Sequence, residues 1–223
     1  MALHHNPRIV TEGLVLALDP GDINSYPGSG TSAYSLTGGY VGAMANQLQY
    51  VDRNGGVFTS DGTSDSLIIT HSNDFNLTTN TLEAFIWWDQ HKNYSSLFVK
   101  GPGGSGNIFN YAFFFYADSI KYGCGDGSAW QSVGVNVSSV PTGRFHHIVG
   151  TYDLNVLKFY LNGVLQSESV NSFNPYQNTD DLQVLQTSYN LDGYLGSARV
   201  YNRALSADEV LQNYLGQKSR FGL

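Results

Sequence analysis

Charge is scarce in this chain. Only 13% of its 223 residues are charged, and 11 basic residues stand against 18 acidic ones, a formal net charge of −7. No Lys/Arg cluster is longer than a pair. Tracking a nucleic-acid backbone requires a basic stripe, so that role is excluded. Binding to an anionic membrane surface is excluded for the same reason. Cysteine is nearly absent: Cys124 stands alone. It cannot close an internal disulfide, so the fold needs no oxidising compartment. A small buried hydrophobe is the expected role, ahead of a nucleophile. No apolar run approaches the length of a membrane span. Met1 to Gly13 shows neither an apolar h-region nor a cleavage site, so no signal peptide is expected. Internal repeats, coiled-coil heptads and long linkers are also missing.

What is present points to strands. Aromatics reach 13%, with 15 Tyr and 12 Phe, and 25 Gly supply turns. Aromatic residues suit pleated, half-buried surfaces. A chain of this length with many short strands is expected to form one sandwich domain. Residues 1–13 read as an N-terminal arm, and residues 14–223 as the domain.

Strands are expected at Leu14 to Leu18, Val57 to Thr59, Ser66 to Thr70, Thr81 to Asp89 and Tyr94 to Lys100. Further ones are expected at Tyr111 to Ala117, Trp130 to Val137, Phe145 to Tyr152, Leu182 to Tyr189 and Gly193 to Tyr201. In Thr81 to Asp89, Leu82, Ala84, Ile86 and Trp88 share one face, and Glu83, Phe85, Trp87 and Asp89 the other. Asp19 to Gly39 reads as loop, and Asp61-Gly62 as a tight turn. Val156 to Leu161 and Val164 to Ser167 flank Asn162-Gly163, whose residues suit a type I′ hairpin turn. One late helix is expected. Ser206 and Glu209 form a capping box, Leu205 and Val210 a hydrophobic staple, and Gly216 the stop.

Four segments together resemble the laminin G-like branch of the concanavalin A-like lectin/glucanase superfamily. They are Phe58 to Asp65, Thr81 to Ile86, Arg144 to Asp153 with Leu157 to Val164, and Gly193 to Leu195 with Arg199 to Ser206. The resemblance implies an all-β, concanavalin A-like (jelly-roll) β-sandwich of two antiparallel sheets with one short C-terminal helix. The opening, Gly13 to Asp19 followed by Asn24 to Thr31, is similar to laminin G-like domains of tailed-phage structural proteins. That likeness implies a virion protein. After Gly193-Tyr194-Leu195 the family commonly carries acidic residues; here Gly196 and Ser197 stand instead. This departure weakens any calcium site those acids would support.

The superfamily includes glycoside hydrolases, so carboxylate pairs matter. Retaining cleavage needs two carboxyls about 5–5.5 Å apart, which residues i and i+2 of one strand can supply. No strand here carries an acid-x-acid pair. Glu83 and Asp89 lie roughly 20 Å apart along an extended strand, and no catalytic residue is expected. Asp19, Asp22, Asp61, Asp65 and Asp192 lie near turns, where Asp bonds its own backbone. No metal site and no cofactor is expected; calcium is the disfavoured alternative. His146 and His147 point to opposite faces and are expected to be structural. Trp87, Trp88, Tyr94, Tyr116 and Trp130 read as core or sheet-face aromatics first, and as a sugar-stacking platform second. The carbohydrate-binding candidates are Trp87, Tyr94, Tyr116 and Trp130.

The function expected is therefore a non-enzymatic virion structural protein with a lectin-like outward domain. It would be a capsid decoration protein, or else a tail or fibre component. The alternative is a carbohydrate-binding module that attaches a virion or an enzyme to glycans. Expected partners are the major capsid or tail protein, possible cell-surface or environmental glycans, and a possible second copy. The arm, through Leu3, Arg8, Ile9 and Val10, is the expected assembly element, pairing as an added strand. The expected location is the virion, after folding in a host cytoplasm.

Overall fold

The computed structural model describes residues 8–46, 48–90, 93–102, 106–185 and 191–223. In chain order its strands are β1 (Leu14–Leu18), β2 (Ser32–Tyr34), β3 (Val41–Ala45), β4 (Gln49–Val51), β5 (Val57–Asp61), β6 (Ser66–Ile69), β7 (Asn80–Gln90) and β8 (Ser96–Lys100). Then come β9 (Tyr111–Tyr116), β10 (Ser119–Gly125), β11 (Trp130–Asn136), β12 (Phe145–Tyr152), β13 (Val156–Leu161), β14 (Val164–Val170), β15 (Leu182–Val184) and β16 (Asp192–Tyr201). Helix α1 (Ala207–Gln217) and a 3-10 turn over Lys218–Phe221 end the chain.

Among the described residues these strands form two eight-stranded antiparallel sheets. One runs β14-β13-β12-β7-β16-β5-β4, with β1 paired to β16; the other runs β11-β10-β9-β8-β15-β6-β3-β2. Strand β16 follows β7 along its length, while its start pairs with β5 and its end with β1. The alternation read in β7 holds. Leu82, Ala84, Ile86 and Trp88 enter the core between the sheets, with Ile148 and Tyr152 of β12 and Phe113 and Phe115 of β9. The chain is thus an all-β sandwich with one short C-terminal helix. Cys124 is fully buried in that core, and burial pushes its thiol up to about 12.

Helix α1 lies on the outward face of the first sheet. Val210 joins Val149, Tyr160, Tyr201 and Leu205 in a second apolar cluster. The expected capping box is present: Glu209 N donates to Ser206 Oγ (3.3 Å) and Ser206 N to Glu209 Oε2 (2.8 Å). Such a cap contributes about 1 kcal/mol. Gly216, the expected stop, lies inside the helix instead. The chain continues through the 3-10 turn to Gly222, at φ 71°. The extension follows from packing: Phe221 stacks on Phe85 at 4.4 Å, and Arg220 grips both carboxylate oxygens of Asp19 at 2.7 Å.

Four strands escape the sequence reading. Strand β2 lies within the expected loop of 19–39, and β3 and β4 lie where no strand is predicted. Strand β10 also lies where no strand is predicted. Strand β15 covers only the start of the expected Leu182 to Tyr189 strand and ends before Leu185, which takes φ 63°; residues 186–190 lie outside the described residues. No helix among the described residues is long and apolar enough to cross a membrane.

Candidate functional site

The second sheet carries a row of aromatic rings on its outward face. In β9, Phe113 and Phe115 point into the core, so Phe114 and Tyr116 point out. Lys121 of β10 stands opposite Phe114, and Gly123 opposite Ala112. Trp130 opens β11. Its indole lies across Gly123, where an added Cβ would come 2.6 Å from Cζ2. That glycine therefore belongs to the sheet and leaves room for a ring. Phe114 and Trp130 have centroids 5.6 Å apart, Phe114 and Tyr116 6.5 Å, and Tyr94 and Tyr116 5.3 Å. Lys121 Nζ lies 5.4 Å from the Tyr116 ring. Tyr94 is 49% exposed and Tyr116 42% exposed.

Tyr94, Tyr116 and Trp130 are thus brought together, and Trp87 is not. Trp87 faces outward on the other sheet, edge-on to Phe145 and Tyr194, with the Arg53 guanidinium 3.8 Å over its ring. The cation covers one face of the indole. Trp88 is fully buried against Phe115 and His146. Phe114 and Lys121 are members of the row that the sequence reading missed. The alternation within Tyr111 to Tyr116 was the signal for Phe114.

The described arm residues, 8–13, pack on their own domain. Val10 is buried: its N–H donates to Asn213 Oδ1 (2.7 Å), and Tyr201 Oη donates to its carbonyl (3.0 Å). Gln212 Nε2 donates to the Arg8 carbonyl (2.6 Å). Arg8 and Ile9 line a cleft of about 570 Å³ with Leu14, Leu36 and Gln217. The boundary at residue 13 therefore falls inside the folded unit, and Leu3 lies outside the described residues. Gly196 and Ser197, the departure from the family pattern, sit beneath the C-terminal segment. A Cβ on Gly196 would come 2.3 Å from Phe221, and Ser197 Oγ donates to Gln217 Oε1 (3.3 Å).

A closed ionic network lies under α1. Glu83 Oε1 accepts from Arg199 Nη1 (2.7 Å), and His147 Nε2 lies 3.2 Å from the same oxygen. Glu83 Oε2 accepts from Asn213 Nδ2 (2.6 Å). Burial pushes the Glu83 carboxyl up. The Arg199 charge, followed by His147 and Asn213, outweighs it and brings the group to about 2. The sequence reading placed no acid beside the histidine pair; cross-strand register supplies one. His146 faces the core instead, with Nε2 2.7 Å from the Pro141 carbonyl. Lys100, also buried, donates to Asn178 Oδ1 (2.8 Å) and the Asp180 carbonyl (2.6 Å), pinning the segment before β15. Desolvation draws its ammonium down to about 8 against the opposing charges of Asp180 and Asp181. Among the described residues, no three His, Cys, Asp or Glu side chains are placed to hold a metal ion.

A family model, described as the concanavalin A-like lectin/glucanases superfamily, matches residues 61–211, more than half of the chain. The chain belongs to this superfamily. Solved structures of the same fold include the binding domain of botulinum neurotoxin serotype D (TM-score 0.72, 13% identity), which covers 92% of this chain and 52% of its own. Domain 4 of AbnA, a GH43 extracellular arabinanase from Geobacillus stearothermophilus solved with arabinotriose, has a TM-score of 0.69 at 16% identity, over 92% of this chain and 98% of its own. The binding domain of Paraclostridial Mosquitocidal Protein 1 has a TM-score of 0.69 at 16% identity, over 91% and 52%. The chain spans about half the length of the two toxin domains. No curated protein matches it.

Proposed function

We propose that this domain is a non-catalytic glycan-binding module that uses the outward face of β9, β10 and β11. The observation that carries this reading is the row Tyr94, Tyr116, Phe114 and Trp130, with neighbouring rings 5.3–6.5 Å apart and Lys121 beside it. Aromatic faces present apolar surface to the C–H faces of sugar rings, while a flanking polar group orients the ligand. The arabinanase domain solved with arabinotriose supports the reading by shape. The reading also accords with Glu83, the buried glutamate, whose carboxylate is fully engaged and covered by α1. The test is retention on immobilised neutral polysaccharides, arabinan among them, with a reducing-sugar assay of the flow-through. Wild-type protein should be retained and release no sugar. Trp130→Ala and Tyr116→Ala should each weaken binding by about 0.5–1.5 kcal/mol, the scale of one lost aromatic contact. Unchanged retention in both variants would overturn the site, and sugar release abolished by an Asp or Glu substitution would overturn the non-catalytic reading.

The finer proposal places this module on a virion, as a capsid decoration, tail or fibre component. Its support is the likeness of Gly13 to Asp19 and Asn24 to Thr31 to tailed-phage laminin G-like domains. Residues 1–7 are then the proposed attachment element, because residues 8–13 are already engaged by α1 and β16. Deleting residues 2–7 should leave a folded domain that no longer joins particles. Full occupancy by the truncated protein would show that attachment lies on the sandwich.

A further inference from the structure

The clearest unused group is Arg53, in the turn between β4 and β5. That turn is fixed from several sides. Arg53 N donates to the Val51 carbonyl and Gly56 N to the Arg53 carbonyl, both at 2.9 Å. Arg220 holds the next carbonyls, Asn54 O and Gly56 O, each at 2.7 Å. The side chain is fixed too. Its guanidinium carbon lies 3.8 Å from the Trp87 centroid and 4.6 Å from that of Tyr194. The Trp87 indole is itself held, because Nε1 donates to Asp89 Oδ1 (3.0 Å). Arg199, Arg203 and Arg220 each grip a carboxylate. Arg53 is half-buried and grips none among the described residues.

We propose that Arg53, held against the rings of Trp87 and Tyr194, is a second ligand site that takes the carboxylate of an acidic sugar. It lies on the outward face of the first sheet, on the other side of the sandwich from the aromatic row. The two rings stand at 85° to each other, so the planar guanidinium lies flat on at most one of them, and an N–H edge turned away from both is left to a ligand. That edge matches a carboxylate bidentately. The flanking edges of Trp87 and Tyr194 supply apolar surface for a sugar ring. A side chain already ordered on two rings loses little further freedom when a ligand pairs it.

The test is an NMR titration of the Trp87 indole N–H in the full chain. The probes are glucuronate and N-acetylneuraminate, with glucose, the methyl ester of glucuronic acid and inorganic phosphate as controls. The two acids should shift the indole and saturate, while glucose and the ester should not. Arg53→Lys keeps the charge but loses the fork, and should bind about tenfold more weakly. Arg53→Gln should not bind, with its remaining amide spectrum that of a folded protein. Trp130→Ala should leave this titration unchanged, so failure of the neutral-glycan site and failure of this one are distinguishable. Equal shifts from acid and ester, equal binding of phosphate, or wild-type binding by folded Arg53→Gln would each overturn the proposal.

Discussion

Glu83→Ala should destabilise the domain by about 3–5 kcal/mol, the range seen when one partner is removed from a buried ion pair. Arg199 is 3% exposed and would keep its charge with only Gln217 as a hydrogen-bond partner. Asn213 would lose an acceptor, and this residue ties α1 to Val10 and Tyr201. Urea denaturation checks the prediction. A loss below about 1 kcal/mol would mean that water reaches the network. The double variant Glu83→Leu/Arg199→Met should recover much of the loss, because apolar residues of similar volume often replace a buried pair at little cost. The pH dependence has a definite sign. The folded Glu83 carboxyl is depressed to about 2 from 4.5. Its stabilisation is therefore present above about pH 4.5 and lost as pH falls toward 2. Glu83→Ala should lack that part of the acid limb.

Gly150→Ala should cost about 3 kcal/mol, the upper part of the overpacking range, and Gly150→Val should prevent folding. Gly150 lies in β12 between Leu82 and Phe159, at a position that faces the other sheet. A Cβ there would come 2.0 Å from Cγ of Tyr122. The Tyr122 ring cannot easily withdraw. Its hydroxyl donates to Asn80 Oδ1 (2.7 Å), and Phe113 packs beside it at 5.8 Å. No unusual backbone conformation is involved, so the effect is one of volume alone. Thermal unfolding of Gly150→Ala, Tyr122→Leu and the double variant checks the argument. Contacting residues should couple, and the double variant should lose clearly less than the two single losses combined. Simple additivity would show that the two positions do not touch.

Much of the fold follows from local chemistry. Period-two alternation in Thr81 to Asp89 assigned each side chain to its face, because successive strand residues point to opposite sides whatever the partner. Asn162-Gly163 marked the hairpin, and both residues have positive φ, 50° and 79°. Ser206 and Glu209 marked the helix start, since a capping box is completed within one turn. Tertiary structure decided the rest. No local signal marks Gly123, and only the neighbouring strand shows that Trp130 lies across it. Gly216 reads as a helix stop, but Phe221 and Arg220 find partners beyond it and carry the chain onward. Glu83, His147 and Arg199 are far apart in sequence, and the register of β7 with β12 and β16 makes them neighbours. The same register leaves Trp87 beside Tyr194, away from the aromatic row. Alternation fixes the face on which a side chain stands, but strand order and register across the sheet fix its neighbours. A binding row or a buried charge is defined by those neighbours, so both sites emerge only when distant strands pair.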